Sequence, residues 1–255
     1  MRALSYAAVV LSVLGLSACA GGDAPPADDA AVAKAVEPSL RAAAAAAEAN
    51  NDWKGAAQHW RTLYLRHPED KALALALARN LRYAGETQAA ADLLMQALDR
   101  GGRDPALVAE LGKAWLALGR QGLALKTLEE AVALAPGDWS AQSAYGVALD
   151  GAGRYAEAQA AYGRALAAAP DNPEVLNNLA LSQAMSGQLD AAVATIRLAA
   201  EQPRAGMQVR QNLGLLLALK GDAADADRAA ARDLPPEMVR NNAAFLRWLA
   251  ANRRQ

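Results

Sequence analysis

The chain has 255 residues, with 26 lysines and arginines against 27 aspartates and glutamates, for a formal net charge of −1. That balance gives no electrostatic case for nucleic acid, which calls for a strongly basic face. A single cysteine excludes an internal disulfide framework, and aromatic residues at 5% leave alanine and leucine to fill the core.

At the N-terminus, Arg2 precedes an apolar run from Leu4 to Leu16, followed by Ser17, Ala18 and Cys19. The run is about 13 residues, short of the roughly 20 that span a bilayer as a helix, so residues 1–18 read as an export signal. Leu16-Ser17-Ala18-Cys19 resembles the bacterial lipobox, in which the cysteine thiol receives a diacylglyceryl group and becomes the first mature residue. The resemblance implies lipidation at Cys19. It also implies an outer-membrane anchor facing the periplasm, because Ala20 stands where an aspartate would favour inner-membrane retention. Residues 19–36 include Gly21, Gly22, Pro25, Pro26, Asp28 and Asp29 and lack apolar periodicity, so a lipidated flexible tether is expected there. From Ala20 to Val36 it would reach at most about 56 Å fully extended.

From Glu37 onward the chain repeats every 34 residues without an insertion. Ala56, Ala90, Ala124, Ala158, Ala192 and Ala226 form one column, and Asn51, Gly85, Gly119, Gly153, Gly187 and Gly221 a second, five residues earlier. A third, twelve residues before the alanines, is small: Ala44, Ala78, Gly112, Gly146, Ala180 and Gly214. Glycine tolerates the left-handed backbone that ends a helix, so the second column separates two helices within each unit. Pro68, Pro136 and Pro170, with Gly102 in the skipped place, stop the second helix, and Pro203 does so one residue early. Apolar spacing within a unit is helical, as in Tyr145, Leu149, Tyr155, Ala158, Tyr162 and Leu166.

These columns predict an all-α protein of about six helix-turn-helix units, starting at 37, 71, 105, 139, 173 and 207. The pattern resembles the tetratricopeptide repeat, whose unit carries a small residue in the first helix, alanine in the second and proline at its end. The resemblance implies an α-solenoid superhelix over 37–234. Its terminal units depart from the pattern, as solvent-facing repeats do: Trp53 and Trp60 enter the first unit, and the sixth decays after Ala226.

No catalytic or cofactor constellation stands out. His59 and His67 are eight residues apart with no paired-ligand spacing, the glycines mark helix stops and crossings rather than a phosphate loop, and GxSxG is absent. A non-enzymatic chain with no cofactor and no small-molecule substrate is expected.

The resemblance implies that positions 2, 5, 9 and 12 of each unit line a concave wall. A 100° helical wheel separates those positions from the packing face. They select Arg41 and Glu48, Arg79 and Arg82, Lys113, Asp150, Glu174 and Asn177, then Gln208 and Gln211, a face that is basic early and acidic or neutral later. An acidic or C-terminal peptide segment is expected against the early half, because arginine makes charge-assisted bonds to carboxylates. The lysine-asparagine pair that the family uses at positions 5 and 9 to clamp chaperone C-termini is absent: Leu75 and Arg79, or Ala109 and Lys113, stand there instead.

Beyond the repeats, Pro235 and Pro236 precede Val239, Ala243, Leu246 and Leu249 at helical spacing, predicting an amphipathic capping helix within 235–255. The lipobox, the tether, the repeats, Asp233-Leu234-Pro235 and Asn241-Asn242-Ala243-Ala244-Phe245-Leu246 together resemble the TadD family of tight adherence (Flp) pilus assembly lipoproteins. That resemblance implies a pilotin-like adaptor that assists assembly or localisation of the secretin, with secretin and other pilus components as partners. A lipoprotein scaffold for another secretion system or for peptidoglycan enzymes is the alternative.

Overall fold

A computed structural model of the chain describes residues 29–230, and all regular structure among them is helical. The signal segment, Cys19, residues 19–28 of the expected tether and the expected capping helix lie outside the described residues. The chain divides into two units, Met1–Pro38 and Ser39–Gln255. In the first, the described residues open α1, Asp29–Ala49, which carries Pro38 inside it. Residues 29–36, expected as the end of the tether, are thus helical, while the 34-residue frame that begins at Glu37 is unchanged. Ala30, Ala31, Ala33 and Ala35 are strong helix formers, and they extend the helix backwards across the proline despite its missing N–H.

The second unit holds the remaining helices. After α2 (Trp53–Arg66) come five hairpins: α3 (Lys71–Tyr83) with α4 (Thr87–Gly101), α5 (Pro105–Ala117) with α6 (Gln121–Leu134), α7 (Trp139–Gly151) with α8 (Tyr155–Ala168), α9 (Pro173–Met185) with α10 (Leu189–Glu201), and α11 (Met207–Lys220) with α12 (Ala223–Ala230). The first helices of these hairpins start at the five positions that the period predicts. The second helices, from Trp53 to Ala223, keep the same interval.

Local chemistry explains this regularity. Asp70, Asp104, Asp138 and Asn172 each precede a first helix, and each side chain accepts hydrogen bonds from the amides two and three residues on, at 2.8–3.4 Å. A cap of this kind is worth about 1 kcal/mol. It forms a fourth column, which Gly206 breaks in the last unit. The second helices α4, α6, α8 and α10 begin without a side-chain cap, at Glu86, Arg120, Arg154 and Gln188. Between the two helices of a hairpin, Gly85, Gly119, Gly153, Gly187 and Gly221 have φ of 69° to 102°, and Asn51 takes the same left-handed conformation at 58°.

The alanine column forms the seam of the core, with no member more than 2% exposed. The small column makes room for a large side chain from the partner helix. A Cβ on Gly112 would lie 2.5 Å from Leu128, and one on Gly146 would lie 2.6 Å from the Tyr162 ring. Successive first helices also touch across hairpins, α3 with α5, α5 with α7, α7 with α9 and α9 with α11, while second helices make no comparable contact with one another. First helices therefore crowd onto one wall of the stack, where a groove opens.

Candidate docking groove

The groove has a volume of about 700 Å³ and is lined entirely by first helices. From α3 come Arg79, Arg82 and Tyr83; from α5, Glu110, Lys113 and Leu116; from α7, Trp139, Ser140, Ser143 and Val147; from α9, Glu174 and Asn178. The 34-residue interval causes this, since it brings the same helical face of each unit to the same wall.

Glu110 organises its charged end. The side chain is 1% exposed, and one oxygen accepts a 2.6 Å bond from Arg82 Nε. The other oxygen has no hydrogen-bond partner and faces Arg79 Nε at 3.9 Å and Lys113 Nζ at 3.8 Å. Burial opposes the charge of Arg82, but attraction and hydrogen bonding to Glu110 outweigh it and hold that pKa above the usual arginine value. Burial pulls the Lys113 ammonium below the usual lysine value, against the attraction of Glu110. Lys113 donates to Ser140 Oγ at 2.8 Å, tying α5 to α7. Arg82 also lies over the Tyr83 ring, 4.4 Å from its centroid, a cation–π contact that steadies both at the rim.

A second hollow of about 470 Å³ adjoins the first and shares Trp139, Glu174 and Asn178 with it. Asn177, Arg204, Gly206, Gln208 and Val209 help to line it. Here an amide chain runs beside the charged Glu174 and Arg204. Asn212 Nδ2 donates to Asn177 Oδ1 at 2.8 Å, Asn177 Nδ2 to Asn178 Oδ1 at 3.3 Å, and Asn178 Nδ2 to Ser143 Oγ at 3.4 Å. The chain links α11, α9 and α7.

The residues selected from the sequence divide accordingly. Arg79, Arg82 and Lys113 converge in the groove; Glu174, Asn177 and Gln208 line the second hollow. Arg41 and Gln211 are exposed but line neither. Asp150 is placed differently from its expected groove position: its oxygens accept from Tyr162 Oη at 2.8 Å and Ser182 Oγ at 2.6 Å, which fastens α7 to α8 and α9. Desolvation raises its pKa, against those two hydrogen bonds. Glu48 likewise accepts from Trp60 at 2.8 Å and Asn80 at 2.6 Å, a structural link from α1 to α2 and α3.

Glu110 itself, and the aromatic side chains Tyr83 and Trp139, escape a reading confined to positions 2, 5, 9 and 12. A signal for Glu110 exists in the sixth position of each unit. Ala42, Ala76, Ala144, Asn178 and Asn212 are uncharged there, and Glu110 is the exception. The early half is thus not simply basic, because a buried acid sits among its cations.

Residues 75–138 and 151–210 each match a tetratricopeptide-repeat family model. Among solved structures, the chain is similar to a thermophilic TPR protein from Thermus thermophilus, with 23% identity and a TM-score of 0.59, over 69% of this chain and 98% of that one. It is also similar to MamA from Desulfovibrio magneticus RS-1, with 20% identity and a TM-score of 0.54, over 63% of this chain and 91% of that one. No curated protein matches the sequence. Helix starts at a constant 34-residue interval, an alanine seam, a wall of first helices and two repeat matches together give the chain the tetratricopeptide-repeat fold, an all-α solenoid.

Proposed function

We propose that the protein is a non-enzymatic adaptor, held at the outer membrane by lipid on Cys19 and facing the periplasm, that serves tight adherence pilus biogenesis by binding secretin subunits and promoting their assembly or localisation. A tetratricopeptide-repeat solenoid is a scaffold for protein–protein contact. The observation that carries this reading is the groove: four successive first helices present cations, aromatic rings and amides to one open wall, a mixture suited to gripping a polypeptide. The lipobox and the closing sequence support the anchor and the pilus setting.

Photo-crosslinking in cells from Arg79 or Arg82, with Lys126 on the second helix α6 as the control, tests it directly. Secretin or another pilus component should be captured from the groove sites and not from Lys126. Capture of peptidoglycan enzymes would move the adaptor to the alternative scaffold role. In a strain lacking the protein, secretin should remain monomeric or collect in the wrong membrane, and normal secretin multimers there would refute the proposal. Mass spectrometry of the exported form should find diacylglyceryl on Cys19, and an unmodified thiol would remove the anchor from the account.

A further inference from the structure

The groove carries unequal charge along its length. At the end formed by α3 and α5, three cations share one carboxylate, and the Glu110 oxygen that faces Arg79 and Lys113 lies 3.9 and 3.8 Å from them without a hydrogen bond. Arg82 is committed to Glu110, whereas the Arg79 side chain is 51% exposed beside it. The far end offers one acid, Glu174, one cation, Arg204, and the amide chain of Asn177, Asn178 and Asn212, and Trp139 stands between the two ends, lining both hollows.

We propose that the groove selects an extended peptide segment bearing one acidic side chain, an apolar side chain about three residues away, and no further acid beyond it. The incoming carboxylate lies against Arg79 and Lys113, matching part of the positive charge that Glu110 leaves over. The apolar side chain packs on Trp139, Val147 and Leu116. The backbone beyond it runs over Asn178, whose amide can donate to a carbonyl and accept from an N–H. The spacing comes from geometry: packed helices sit about 10 Å apart, and an extended chain advances about 3.3 Å per residue. Glu174, which lines both hollows together with Trp139, repels a second acid just beyond the apolar side chain. Glu110 is then a specificity-determining residue, because it cancels one of the three positive charges at that end and so weakens the pull on any acid beyond the first. This inference rests on the adaptor reading and specifies the chemistry of the segment bound.

The test is calorimetric titration of the full chain with N-acetylated, C-amidated nonapeptides on a glycine-serine background. One carries a glutamate three residues from a leucine; matched peptides carry glutamine or lysine in its place; a fourth adds a second glutamate three residues beyond the leucine. The single-glutamate peptide should bind at least about fivefold tighter than the glutamine peptide, as charge-assisted bonds outperform neutral ones, and the second glutamate should weaken it. Arg79→Ala should abolish the preference while leaving the fold intact, since Arg79 is half exposed. Glu110→Gln should tighten binding of the two-glutamate peptide. Equal binding of the glutamate, glutamine and lysine peptides, a preference for lysine, or no binding by any of them would overturn the inference. Those results leave the adaptor reading standing if crosslinking still captures a partner, and absence of capture from every site sinks that reading separately.

Discussion

Among the described residues, the buried polar side chains Asn80, Glu110, Gln142, Ser143, Asn177 and Ser182 all lie on first helices, α3, α5, α7 and α9. The second helices bury alanine, leucine, valine, isoleucine and tyrosine. From α3 to α10 the first helices are also the ones whose N-termini are capped by Asp or Asn side chains, whereas among the second helices from α2 to α10 α2 alone carries such a cap, from Asp52 to the Gly55 amide. A polar group taken from water without a partner costs stability, so each of these is held by hydrogen bonds or ion pairs, and three of them, Glu110, Ser143 and Asn177, line the groove or the hollow beside it. Second helices thus act as framework, and first helices carry the polar wall on which the proposed recognition rests.

Five substitutions probe this division. The largest effect should come from the framework itself. Leu128 is fully buried and fills the space above Gly112, so Leu128→Ala should cost about 2–5 kcal/mol in chemical denaturation. On the opposite face of the same kind of crossing, Gly146→Val puts side-chain atoms into the Tyr162 ring, which its hydrogen bond to Asp150 keeps in place. A loss of about 1–3 kcal/mol is expected, read as a lower unfolding midpoint. Next comes capping: Asp104→Ala should cost about 1 kcal/mol, whereas Glu86→Ala, before a second helix that lacks a side-chain cap, should stay within about 0.5 kcal/mol. Equal losses at both positions would erase the distinction between the helix classes. The smallest change is a gain. Gly163 lies inside α8 with open space where a Cβ would go, so Gly163→Ala should stabilise by about 0.5–1 kcal/mol.

The period was the most legible part of the chain, because helix stops, seam and crossing positions each demand a particular residue size or backbone conformation. Glycine recurs where φ must be positive, and even the asparagine at position 51 obeys. Alanine recurs where two backbones meet. The cap column was equally visible at Asp70, Asp104, Asp138 and Asn172, yet it lies just outside the first helices and so outside a reading of helix faces. The groove was half legible. Helical phase located Arg79, Arg82 and Lys113, but phase cannot tell whether a polar side chain turns to solvent or to a neighbour. Asp150 turned towards Tyr162 and Ser182, and Glu110 turned inward to meet its cations, each decided by contacts between residues 12 to 32 positions apart. The start of α1 was missed because glycine and proline earlier in the segment masked the alanine-rich stretch that follows.

The constant spacing of the caps makes the chain open to splicing. Excision of residues 105–138 joins Asp104 directly to Trp139, and Asp104 then meets the amides of Ser140 and Ala141 just as Asp138 does in the intact chain. Such a shortened protein should fold in phase, with one hairpin fewer. It would also lose Glu110 and Lys113 in the same cut and bring Arg79 and Arg82 opposite the neutral Ala144. A gain or loss of one cassette could therefore change which ligand is read without any change of architecture.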